Sequence, residues 1–269
     1  PGIFHPSQLE PKGRMFKELQ SVMGRVVDVL SRELGEQGFG EVWVADSHGF
    51  MGNIDYTSLP RGVTVIRGSL RPTSMVYGID RGFDAAIFIG YHPAAGTLRG
   101  VLEHTYSGRV FWEIRVDGAR ASEMYINALV AGHYGVPVIL VAGDDRLRGE
   151  VEERLPWAVY IALKESISRF ATVSKSLDTV LEELREGVRE AVKRLRNGHT
   201  KPLRHGGPLK IELVFRRQEY ADAAELIPGT KRVDTYTIET VANNPLELYR
   251  VLELATLASI GLETLIKSP

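Results

Sequence analysis

Cysteine is absent from this chain of 269 residues, which excludes disulfides, thiolate nucleophiles and sulfur-ligated metals. Any metal site therefore has to be assembled from histidine, aspartate and glutamate. An excess of one charge sign is also missing: 33 Lys plus Arg stand against 34 Asp plus Glu, a net charge of -1. No global field favours nucleic acid or an anionic membrane surface, so neither is expected as a partner. Long apolar runs are lacking too. None approaches the ~20 residues of a membrane span, and the opening "PGIFHPSQLEPKGR" holds no apolar signal-peptide core. A cytoplasmic location is the expectation.

What the chain does have is a 43% apolar composition, enough to bury a substantial core. Between Gly13 and Gln37 the residues Phe16, Leu19, Met23, Val26, Val27, Leu30 and Leu34 recur at threes and fours and predict an amphipathic helix. Short apolar runs without alternation follow at Glu41 to Ala45, Val63 to Ile66, Asp84 to Gly90 and Val136 to Gly143. Such runs are the pattern of strands covered on both faces by helices. The stretch "ARASEMYINALVAGHYG" fits a crossover helix ending at Gly135, and a second helix follows Ser176 and closes at Asn197-Gly198. "RVFWEIRVDG" alternates and ends in Asp-Gly, which predicts a hairpin. The fold class expected is α/β, a largely parallel sheet flanked by helices with a smaller C-terminal α/β unit. The expected division is 1–200 for the metal-binding catalytic part and 207–269 for the smaller unit, joined through "HTKPLRHGGP".

Two histidines share a placement. His48 follows the end of "EVWVAD" and His92 the end of "AAIFIGY", and ligands bind outside the carboxyl ends of strands in open parallel sheets. Glu123 lies near the start of the crossover helix, so its membership of that rim depends on topology. Two histidines and a carboxylate suit a first-row metal, with Asp46 placed to orient an imidazole; hydrogen-bonded loop histidines are the alternative. His104 in "VLEHTYSG" is either a base near the rim or an ordinary surface residue, and His133 is expected to pack. "GDDR" at Gly143 to Arg146 lines the site or caps the next helix. No G-x-S-x-G, H-E-x-x-H, phosphate loop or dinucleotide fingerprint occurs.

The stretches "VADSHG", "RPTSMVYGID", "FIGYHPAAGT", "GVLEHTYSG", "ASEMYINALVAGHYGVPVILVAGDD" and "KESISRFA" occur in the order seen in the D-aminopeptidases of the DppA type, the M55 peptidase family. The chain resembles that family from about Pro1 to Ala171, and more loosely through "LIPGT" to the C-terminal helix. The resemblance implies a zinc-dependent aminopeptidase removing D-residues, typically D-alanine, from short peptides, and a homodecamer around a central channel. It implies His48, His92 and Glu123 as metal ligands and His104 as catalytic nucleophile. The family opens with a strand ending in Asp-x-Glu-Gly, whose acids complete a zinc pair. That stretch is not in this sequence, and the expectation is that it precedes Pro1, giving two Zn²⁺ per subunit. Without it, the expectation shifts to a catalytically impaired peptide-binding or assembly protein of the same fold. A metal-dependent amidase or esterase is the third reading.

Overall fold

The unalternating apolar runs all become strands, and the last of them, Val138–Asp144, is buried along its whole length. In the computed structural model, which describes residues 1–267, α1 (Phe16–Glu36) leads into β1 (Val42–Ala45) and β2 (Val63–Ile66), a parallel pair. Next come β3 (Ala86–Tyr91), β4 (Phe111–Val116), β5 (Ala119–Arg120), α2 (Glu123–His133) and β6 (Val138–Asp144). They are followed by α3 (Arg148–Arg154), β7 (Val159–Ser168), β8 (Ala171–Val173) and α4 (Leu177–Arg196). The chain continues as β9 (Leu209–Phe215), α5 (Gln218–Ala224), β10 (Lys231–Arg232), β11 (Thr237–Ala242) and α6 (Pro245–Lys267).

One sheet has the order β3-β6-β7-β8, with the first three strands parallel and β8 antiparallel at the edge. Every residue of β6 is buried. Ile139, Leu140 and Ala142 share a core with Val26 and Leu30 of α1 and with Val180, Leu184 and Val188 of α4. Val138 and Val141 belong to the other core, with Ala128 and Leu129 of α2. Each fully buried Val or Leu contributes about 1.5–3 kcal/mol of transfer free energy, so a strand apolar on both faces is what two such layers require. Helix α4 starts as expected, with the Ser176 hydroxyl accepting the Thr179 N–H at 3.3 Å.

The second large sheet, β10-β11-β9-β4-β5, is antiparallel throughout. The expectation of a largely parallel sheet thus holds for β1–β2 and β3–β6–β7 but not for the molecule, which is mixed α/β. The physical reason is visible in the burial: β9 runs buried, exposed, buried along its length, the alternation of a sheet packed on one face. Asp117 and Gly118, with φ of 53° and 76°, form the hairpin turn between β4 and β5. Strand β9 pairs with β4 on one side and β11 on the other. The segments 1–200 and 207–269 therefore share one sheet.

Candidate metal centre

Strand β1 ends at a tightly held turn. The fully buried Asp46 carboxylate accepts the Ile54 N–H at 2.8 Å and the Asn53 side-chain amide at 2.9 Å. The same Asn53 amide donates to the His48 carbonyl at 2.6 Å, so Asp46 fixes the backbone of His48 and makes no bond to its ring. The hydroxyl of Ser47 donates to the Met75 carbonyl at 3.1 Å. The His48 ring lies against β3: its Nε2 is 3.3 Å from the Gly90 carbonyl oxygen. A carbonyl only accepts, so Nε2 carries the proton and Nδ1 keeps its lone pair.

His92 follows β3 directly. Its Nδ1 is 3.2 Å from the Pro93 carbonyl oxygen, which leaves Nε2 as the free lone pair. His104 lies on a loop that several bonds hold down. The Asp144 carboxylate accepts Val101 N–H at 2.9 Å, the Arg169 carbonyl accepts Leu102 N–H at 3.0 Å, and the Thr105 hydroxyl donates to the Ala121 carbonyl at 3.0 Å. Glu103 accepts the Gly96 N–H at 3.0 Å and pairs with Arg169. Within this loop the His104 Nδ1 donates to the Leu102 carbonyl at 2.7 Å, again freeing Nε2.

Glu123 is the first residue of α2, whose N-cap Ser122 accepts the Tyr125 N–H at 3.2 Å. A carboxylate in the first helical turn is favoured by the helix dipole. Its Oε1 accepts the Tyr106 N–H at 2.8 Å and lies 3.5 Å from His104 Nε2; its Oε2 lies 3.8 Å from His92 Nε2. The rings of His92 and His104 are 4.2 Å apart at 31°. Donor atoms of His92, His104 and Glu123 all fall within 4.8 Å of one another. A tetrahedral zinc shell with bonds of about 2.0–2.2 Å separates its donors by about 3.3–3.6 Å, so this trio fits a zinc ion after small adjustment.

The structure thus brings three of the four expected residues into one cluster and sets His48 beside it. Burial lowers the pKa of His48, against the opposing pull of the Gly90 carbonyl and the Glu123 charge. Burial, reinforced by repulsion from His104, holds His92 well below the ordinary imidazole value. Both rings are neutral near pH 7, the form that ligates a metal. Beneath the cluster lie Tyr91, Tyr106, Asn127 and Tyr249; burial raises all three phenols, Tyr249 to about 12, so they stay protonated.

The sequence model of Peptidase M55, described as D-aminopeptidase, matches residues 1–254. The chain belongs to the M55 peptidase family. It is 33% identical over 246 residues to a D-aminopeptidase of Bacillus subtilis (strain 168), covering 90% of this chain and 88% of that protein. Among solved structures it resembles the zinc-dependent D-aminopeptidase DppA from Bacillus subtilis, a self-compartmentalizing protease. That likeness has a TM-score of 0.90 at 30% identity and spans 96% of this chain and 93% of that one.

The remaining histidines and basic residues of this M55 peptidase are placed elsewhere. His133, expected to pack, is exposed at the end of α2 because it falls on the last turn beyond the apolar contacts. His205 lies 3.6 Å from Asp117. In the basic stretch 193–205, Lys201 sits over the Trp157 ring at 5.2 Å and Arg194 pairs with Glu190 at 2.9 Å. Asp144 of "GDDR" caps the following turn through the N–H groups of Arg146 and Leu147. Sequence reading passed over Asn53 and Asn127; the one signal for Asn127 was a polar residue inside the apolar run of α2.

Proposed function

We propose that this protein is a zinc-dependent D-aminopeptidase that hydrolyses short peptides from the N-terminus, with D-alanine as the typical residue released. The observation that carries the reading is the convergence of two imidazoles on one buried carboxylate, within a chain alike in sequence to a D-aminopeptidase and in fold to a zinc-dependent one. By likeness to the family, His48, His92 and Glu123 would hold the metal, with His48 turning in from beside the cluster and His104 left to face it. Zinc bound there would polarise the scissile carbonyl and steady negative charge on its oxygen.

His104 is the group assigned to the chemistry. Its side chain is 30% exposed against 14% for His92, so it is the imidazole within reach of an arriving peptide. The Leu102 carbonyl holds its Nδ1 proton and directs the Nε2 lone pair into the site, as a base or nucleophile requires. Glu123 Oε1 stands beside that nitrogen and stabilises positive charge on the ring once Nε2 takes a proton or forms a bond. The Tyr106 N–H bond to the same oxygen keeps the carboxylate oriented while this happens.

Zinc content and D-alanine release from D-alanyl-D-alanine, measured on the wild type and three variants, test the assignment. His48→Ala and His92→Ala should lose zinc, whereas His104→Ala should retain it and lose turnover. Loss of zinc from His104→Ala would move that residue from the chemistry to the metal shell. A zinc-free wild type without chelator-sensitive activity would sink the reading. A ring-shaped homodecamer in the cytoplasm is the assembly we favour, by likeness to a self-compartmentalizing relative; light scattering on the purified chain tests its mass.

A further inference from the structure

From the hydrogen bonds around α2 we infer that Asn127 is a positioning residue that sets the three histidines relative to Glu123. This inference rests on the metal-site reading above. Asn127 is fully buried in a helix whose other buried residues, apart from Glu123, are apolar, aromatic or glycine. It lies four positions after Glu123, so its amide sits one turn along the same face as the carboxylate.

Each polar atom of that amide is bonded to a different segment. Nδ2 donates to the Tyr91 hydroxyl at 2.9 Å and to the Met75 sulfur at 3.3 Å, and Oδ1 accepts from the Tyr106 hydroxyl at 3.0 Å. Tyr91 immediately precedes His92. Tyr106 follows His104 by two residues, and its backbone N–H is already on Glu123. Met75 reaches His48 through its carbonyl, which accepts the Ser47 hydroxyl. The three arms therefore end within two residues of the three histidines.

The network closes on itself from below. Met75 N–H donates to the Tyr249 hydroxyl at 3.0 Å, and the Tyr249 ring meets that of Tyr106 edge to face at 5.3 Å. Packing alone would be met by leucine at this position. A fully satisfied buried amide adds direction: it fixes distances between segments that no backbone bond joins. Groups that hydrogen-bond metal ligands commonly alter metal affinity or activity 10–100-fold. Asn127 acts one link further out, by holding Tyr106, whose N–H bonds Glu123, and Tyr91, which adjoins His92.

The test uses the full chain, with zinc affinity from chelator competition and long-range nitrogen–proton spectra of the imidazoles in metal-free protein. Asn127→Leu should weaken zinc by at least tenfold and shift the His92 and His104 resonances. Tyr91→Phe and Tyr106→Phe, which remove one arm each, should weaken it by at least threefold. The remote Tyr220→Phe, which loses a bond to Glu263, controls for lost stability and should leave zinc affinity within twofold. If Asn127→Leu does not fold, the two Phe variants decide. Unchanged affinity and unchanged imidazole spectra in the variants overturn the inference. A wild type that binds no zinc would instead overturn the metal reading, and the metal-free spectra would still report on Asn127.

Discussion

Glu123 and Tyr106 are joined by a 2.8 Å bond from backbone N–H to Oε1, and the same oxygen stands 3.5 Å from His104. One carboxylate thus anchors the loop that carries the base and faces both imidazoles of the cluster. Glu123→Gln keeps an acceptor for Tyr106 and removes the charge. We expect it to remain folded, to lose zinc affinity by at least tenfold and to release D-alanine at a small fraction of the wild-type rate. Metal analysis after dialysis, together with a D-alanine assay, checks both.

Gly90 has φ of +80°, and a Cβ there would lie 3.2 Å from His48 Cε1 and 3.3 Å from Nε2. Gly90→Ala combines left-handed strain of about 1–2 kcal/mol with displacement of the imidazole. Gly62, with φ of +88°, has nothing within 4 Å of its virtual Cβ and supplies the comparison. Both variants should lower the thermal midpoint, but only Gly90→Ala should weaken zinc binding.

Much of this was legible from the chain and part was not. Helices α1 and α4 follow from periodicity because each buries one continuous face, and strands β1, β2, β3 and β6 follow from their short unbroken apolar runs. Strand β7 was not legible: its second half, "KESIS", is largely exposed, and beyond Lys164, which still pairs with Asp144 of β6, it meets only the short β8. His48 and His92 could be placed at strand ends from sequence. Glu123 and His104 could not, since they meet only because the loop before β4 folds over the start of α2, and short runs do not encode that closure. Their assignment came from family resemblance. Asp46 was expected to orient the His48 ring; it holds the His48 backbone through Asn53 instead.

Glu33, almost fully buried on α1, receives two bonds from Arg189 of α4, at 2.9 and 3.0 Å. Burial raises its pKa, but the bonds from Arg189 and Gln37 outweigh this and hold it below the usual 4.5. Its contribution is therefore present above about pH 4.5 and is lost as pH falls through the lower folded value. Glu33→Gln should cost about 1–3 kcal/mol at pH 7. Denaturant titrations should show the gap from wild type narrowing on acidification below pH 4.5.

Burial lowers Lys164 from 10.5 to about 8, against the attraction of Asp144. Between those two values the unfolded chain binds more protons than the folded one, so this group adds stability as pH rises from 8 to 10.5. Lys164→Met removes that slope. The stability of the variant relative to wild type should fall over this interval by up to roughly 3 kcal/mol, at about 1.4 kcal/mol per pKa unit. Melting curves at pH 7, 8, 9 and 10 read it directly.

The bond from Met75 N–H to the Tyr249 hydroxyl spans 174 positions in the chain, and Phe111 of β4 waits for Phe215 of β9. During synthesis, all three histidines leave the ribosome well before the phenol that braces them and the strand that covers β4. A nascent chain halted in between carries an open sheet edge and unsupported metal donors. Premature termination then yields an aggregation-prone fragment instead of a smaller peptidase, and function arrives only with the last helix.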